Sequence, residues 1–142
     1  MNPGNKKRKC PIRKKTMIKF FKIQLFILLA LGAGVLAFAG HLHSEKWYQE
    51  RWCSEAGGQV EVVLQDQTRC DCLTRTHAVE FDFAAKWAEA IGQSLYYSLM
   101  TGKRAGIVLI LESEPDEKYL TRLDRAINAY HLPIDVWVLR SF

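Results

Sequence analysis

The first 44 residues contain no aspartate or glutamate, and no charged residue of either sign lies between Lys22 and Glu45. The chain also lacks internal repeats and low-complexity tracts, which excludes a solenoid or a repeat array. Its 142 residues fit one domain, since domains usually run about 100–200 residues. With 49% hydrophobic and 25% charged residues, the chain is not wholly disordered either. The net charge of +5 does not describe the folded part. Residues 1–22 hold nine Lys/Arg and no acid, whereas residues 40–142 hold eleven Lys/Arg against fifteen Asp/Glu, a balance of −4. The basic character belongs to the leader, so composition gives no argument for a broad nucleic-acid-binding surface.

The apolar stretch over residues 23–40 (IQLFILLALGAGVLAFAG) follows that basic block and fits two roles. As a cleaved secretory signal it has a positive n-region, an apolar core, and Ala37-Phe38-Ala39 as the small-x-small pattern for a cut after Ala39. As a retained anchor, the 22 uncharged positions of residues 23–44 suffice for a bilayer, which needs about 17–25 apolar residues. In both cases the Lys/Arg cluster stays cytoplasmic and the remainder is exported. The product is periplasmic or secreted after cleavage, or anchored in the inner membrane with its C-terminal domain outside the cytoplasm. Met17 opens a more typical signal (MIKFFK) than Met1 does, so either is a candidate start.

Export changes how the cysteines read. Cys10 falls in the leader, and Cys53, Cys70 and Cys72 enter a compartment that permits disulfides. Neighbours at i and i+2 on one strand rarely bridge, because their Cβ vectors run parallel. The expected bond joins Cys53 to Cys70 or Cys72 and leaves one thiol over. Free buried thiols are one alternative, and a zinc site from these cysteines and His77 is another, although C-x-C-x₄-H matches no common structural pattern.

Along the exported part, Ser44 is placed to cap a helix over residues 45–56, stopped by Gly57-Gly58. Strands are predicted over 59–65, 69–74 and 77–83, the last alternating cleanly (HAVEFDF). A helix over 84–100, a continuous apolar strand over 105–111, a helix over 115–130 and a strand over 134–139 follow. The order αβββαβαβ predicts an α+β or α/β sandwich with a mixed sheet.

One set of residues in this frame carries chemistry. Glu80 and Asp82 share a face of the third strand, their Cβ atoms roughly 6–7 Å apart by strand rise. Asp71, between Cys70 and Cys72, joins them if the second strand pairs with its side chain on the same face. Carboxylates so close do not all stay ionised without a cation, and Mg²⁺ or Mn²⁺ is the natural guest. The next helix presents Lys86, Ala90, Gln93 and Tyr97 on one face.

Asp71, then Glu80 on the next strand, then Gln93-x-x-x-Tyr97 on the following helix resembles the PD-(D/E)XK nuclease superfamily, and the Q-x-x-x-Y element is similar to its RecB-like branch. The resemblance covers residues 44–139 and implies a restriction-endonuclease-like mixed sheet. It also implies that Asp71 and Glu80, with Asp82 beside them, hold a divalent metal, and that Gln93 and Tyr97 position the substrate strand. The departure is the lysine: Asp82 stands where E-x-K expects it, and Lys86 is its relocated candidate. Glu50 or Glu55 would supply an additional acid, while Arg69, Arg75, Lys103 and Arg104 would hold backbone phosphates. The implied activity is metal-dependent phosphodiester hydrolysis of DNA or RNA. The acidic balance and the missing lysine favour instead a non-catalytic, disulfide-stabilised envelope or periplasmic module that retains the fold. A membrane is a partner only if the leader remains uncleaved.

Overall fold

Ser44 stands in extended backbone (φ −67°, ψ 151°) and its hydroxyl accepts a hydrogen bond from the Trp47 amide at 3.3 Å, which starts helix α1 (Glu45–Glu55). Gly57, at φ +65°, turns the chain out of that helix. The computed structural model describes residues 40–141, so the leader with its signal or anchor, the cut after Ala39 and Cys10 lie outside the described residues. Strands β1 (Gln59–Val63), β2 (Arg69–Leu73) and β3 (His77–Phe83) come next. Helix α2 (Trp87–Thr101), β4 (Arg104–Leu111), α3 (Glu117–Tyr130) and β5 (Ile134–Arg140) complete the chain. The order is the predicted one. Where boundaries differ, local chemistry explains it. β1 ends early because Leu64, Asp66 and Thr68 close a turn with Gln67 at φ +70°. The two later helices each begin with a 3₁₀ turn, Ala84–Lys86 and Glu114–Asp116. No described helix is long and apolar enough to cross a membrane.

The five strands lie in the order β1-β2-β3-β4-β5. The first three pair antiparallel, and β3, β4 and β5 run parallel, joined by the crossover helices α2 and α3. Both helices cover one face, over Ala105, Ile107, Leu109 and Leu111, and α1 covers the other, over Val79, Phe81, Val108 and Ile110. Ala105 to Leu111 are all buried, which is why this strand reads as one apolar run without alternation. Each of its large side chains contributes about 1.5–3 kcal/mol through burial. Gly106 lies within that run because a Cβ there would stand 2.8 Å from the Trp137 ring.

Cys53 of α1 bonds to Cys72 of β2, with Cα atoms 5.8 Å apart, and Cys70 is the buried free thiol. This resolves the pairing and excludes the zinc alternative. Two of its three sulfurs are consumed, and His77 is held instead by Asp135 Oδ2 at 2.7 Å and Thr76 Oγ1 at 2.9 Å. The bridge runs close over Gly58, where a Cβ would meet both sulfurs at 2.7 Å.

Candidate functional site

The β2–β3 ladder sets Cys72 opposite Val79 and Leu73 opposite Ala78, a register that would continue with Asp71 opposite Glu80. It stops there. The Phe81 amide donates to Asp71 Oδ2 at 2.8 Å, and the Cys70 thiol donates to the Cys72 and Val79 carbonyls at 3.5 and 3.8 Å. The Asp71 side chain therefore satisfies the Phe81 N–H, a donor that a continued ladder would have used, while the Cys70 thiol contacts the carbonyls of the last paired residues. The sequence places a short polar residue and a thiol at the point where the strands part, and a cavity opens beside them.

That cavity, about 380 Å³, is lined by Asp71, Glu80 and Asp82 from the strands and by Lys86, Glu89, Gln93 and Tyr97 from α2 and its first turn. Glu45, Thr68 and Arg69 complete the wall. Glu80 and Asp82 are only 5% and 2% exposed, yet Glu80 Oε2 and Asp82 Oδ2 have no hydrogen-bond partner among the described residues. Burying an unpaired polar atom costs about 1–3 kcal/mol, more if it is charged, so these oxygens are held at a cost to the fold. Asp82 Oδ1 has the Lys86 ammonium at 3.3 Å.

The charges follow from the crowding. Burial, then the nearby charges of Asp71 and Asp82, push the Glu80 carboxyl far above the usual carboxylate range. Burial also raises Asp71, opposed by the Phe81 N–H and by the hydrogen bond with Glu80, so this pair favours holding one proton between them. Burial lifts Asp82 to about 6 although Lys86 opposes it, and Asp82 in turn raises the Lys86 ammonium. Tyr97 is pushed up to about 12 by burial and by the charges of Glu80 and Asp71, so its phenol remains a donor at neutral pH.

The structure thus brings Asp71, Glu80, Asp82, Lys86, Gln93 and Tyr97 to one cavity. Lys86 stands on Asp82, not on Glu80. Other expectations are corrected. Glu50 pairs with Lys46 on the exposed side of α1, and Glu55 lines a separate cleft with Trp47 and Arg51. The acid that α1 brings to the cavity is Glu45, steadied by the Gln49 side-chain amide at 3.2 Å. In sequence, Glu45 is indistinguishable from an ordinary first-turn acid placed for the helix dipole. Of the four basic residues, Arg69 alone reaches the cavity. Lys103 donates to the Thr74 and Arg75 carbonyls, Arg104 pairs with Asp135, and Arg75 lines a different pocket.

Among the described residues, no three His, Cys, Asp or Glu side chains are gathered closely enough to hold a metal ion as they stand. No family model, no curated protein and no solved structure matches the chain.

Proposed function

We propose that residues 41–142 form an exported, divalent-metal-dependent phosphodiester hydrolase with a restriction-endonuclease-like sheet. One observation carries this function: two carboxylates that line a polar cavity, Glu80 and Asp82, each keep a buried oxygen without a partner among the described residues. Such atoms fit a cation, because a cation is what offsets their desolvation and mutual repulsion. Asp71 and Glu80, with Asp82, would hold Mg²⁺ or Mn²⁺, and that ion would polarise a phosphodiester oxygen and lower the pKa of a bound water. Lys86 supplies a permanent positive charge beside Asp82, the position where an E-x-K motif carries its lysine, and would stabilise charge developing on phosphorus-bound oxygens. Gln93 and Tyr97 present an amide and a phenolic donor on the helical wall and would orient the nucleic-acid strand. The Cys53–Cys72 bridge supports the exported location, since structural disulfides persist in oxidising compartments.

The test is cleavage of labelled DNA and RNA in Mg²⁺ or Mn²⁺. Lys86→Ala is expected to lower the rate by about 10²–10³-fold, the usual effect of deleting one such electrostatic group. Two observations favour a second function, a non-catalytic binding module: Lys86 is tied to Asp82, and no three-ligand cluster is preassembled among the described residues. Cation binding without turnover on either nucleic acid would select the module.

A further inference from the structure

The carboxylate row extends past β3 and β2 onto β1. Val60 and Val62 lie opposite Cys72 and Cys70, so Glu61 stands across from Asp71. Glu61 has φ +58°, the left-handed region that a non-glycine residue seldom occupies inside a strand. Its carboxylate, 29% exposed, takes the Arg69 guanidinium at 2.8 Å, while Arg69 itself is 61% exposed and lines the cavity. At the other end of the row, Lys86 is held by the buried Asp82. Between these two ion pairs, Glu80 and Asp82 line the cavity, each with one buried oxygen unpartnered among the described residues.

The two cations are therefore held differently. Lys86 answers a buried carboxylate that would lose this cationic partner if the ammonium left. Arg69 is held at the surface, where an ion pair is weak and easily exchanged. A guanidinium also fits phosphate oxygens with two parallel donors, an arrangement stronger than a single exposed contact. We propose that Arg69 is the anion-binding arm of this cavity and that Glu61 parks it, so that a nucleic-acid phosphate at the cavity mouth takes the guanidinium over from Glu61. This rests on the phosphodiester function above for the identity of the anion, and it adds Glu61 as a residue that tunes substrate affinity.

The test uses a fluorescein-labelled single-stranded DNA with phosphorothioate linkages, titrated by anisotropy in EDTA and in Mn²⁺, with Mn²⁺ binding followed separately by electron paramagnetic resonance. Glu61→Gln removes the competing charge at the same backbone position. Glu61→Gly removes it with a residue suited to positive φ, which keeps the test available if the glutamine variant does not fold. Both variants should tighten DNA binding about two- to fivefold, the range of an exposed ion pair. Arg69→Gln should weaken binding and lower the salt slope by about 0.7, one phosphate contact on a single strand. The double variant Glu61→Gln/Arg69→Gln should match Arg69→Gln alone. Wild-type affinity in both Glu61 variants, an unchanged salt slope in Arg69→Gln, or no DNA binding by any form overturns the proposal. Failure of the arm with Mn²⁺ binding intact leaves the metal site standing, whereas a working arm without Mn²⁺ binding removes the metal and keeps the arm.

Discussion

At the scale of single residues, Asp71 does two jobs that separate under mutation. Its Oδ2 accepts the Phe81 amide, and its charge crowds Glu80. Asp71→Asn keeps an acceptor oxygen and removes the charge, while Asp71→Ala removes both and leaves a buried N–H unpaired. The alanine variant should therefore be less stable than the asparagine variant by about 1–3 kcal/mol in denaturant titrations. The titrations have a definite sign. Asp82 is raised to about 6, and Asp71 and Glu80 are raised as well, so the folded state binds protons that the unfolded chain has released. The stability these groups lend is complete below about pH 4; that of Asp82 and Asp71 is lost as pH climbs through about 6, and that of Glu80 continues to fall well above it. For Asp82 alone the change is on the order of 3 kcal/mol. The metal-free domain should melt lower at about pH 8 than at about pH 5, and Asp71→Asn or Glu80→Gln should flatten that profile in a thermal melt. A profile that rises across this range would reverse the assignment of protonated carboxyls.

At the scale of elements, most of the fold was legible because the signals are local. Ser44 caps, HAVEFDF alternates, and residues 105–111 are uniformly apolar, and each appears as the element its pattern demands. Asp71, Glu80 and the Gln93–Tyr97 pair were legible as a group because strand parity and helical spacing put them on facing surfaces. What was not legible depends on long-range geometry. Glu45 reaches the cavity only because the start of α1 overhangs it, and Lys103 is spent on two carbonyls that no local pattern announces. The choice between Cys70 and Cys72 was equally hidden. Cys72 shares with Val79 and Phe81 the face that α1 covers, whereas the side chain of Cys70 turns toward the opened ladder. Gly58 then makes a prediction for the α1–β1 corner. Glycine is required there because a methyl group would stand 2.7 Å from both bridge sulfurs. Gly58→Ala should cost about 1–3 kcal/mol by overpacking, read as a lower urea midpoint, and reducing the disulfide should erase much of the difference. An unchanged midpoint would place the bridge elsewhere.

At the scale of the whole molecule, the described chain has one sheet covered on both faces, with the bridge tying α1 to β2. A fragment of residues 41–142 made under oxidising conditions should fold without its leader, and reducing Cys53–Cys72 should cost it about 3 kcal/mol for a loop of this length. A random-coil circular dichroism spectrum from the oxidised fragment would contradict that. The same compact sheet gathers five carboxylates, Glu45, Asp71, Glu80, Asp82 and Glu89, around one cavity with Lys86 and Arg69 at its wall. Two buried oxygens there have no partner among the described residues, and a divalent cation is the partner we propose for them. The most direct measurement is the melting temperature of the oxidised fragment at about pH 8 with and without Mn²⁺. Because the ion binds only the folded state, Mn²⁺ at tenfold over its Kd should stabilise the wild type by about 1.4 kcal/mol and raise Tm by roughly 5–10 °C. Asp71→Asn and Glu80→Gln should lose that rise, and Lys86→Ala should keep it. A Tm that Mn²⁺ leaves unmoved, or raises equally in Glu80→Gln, would contradict the account.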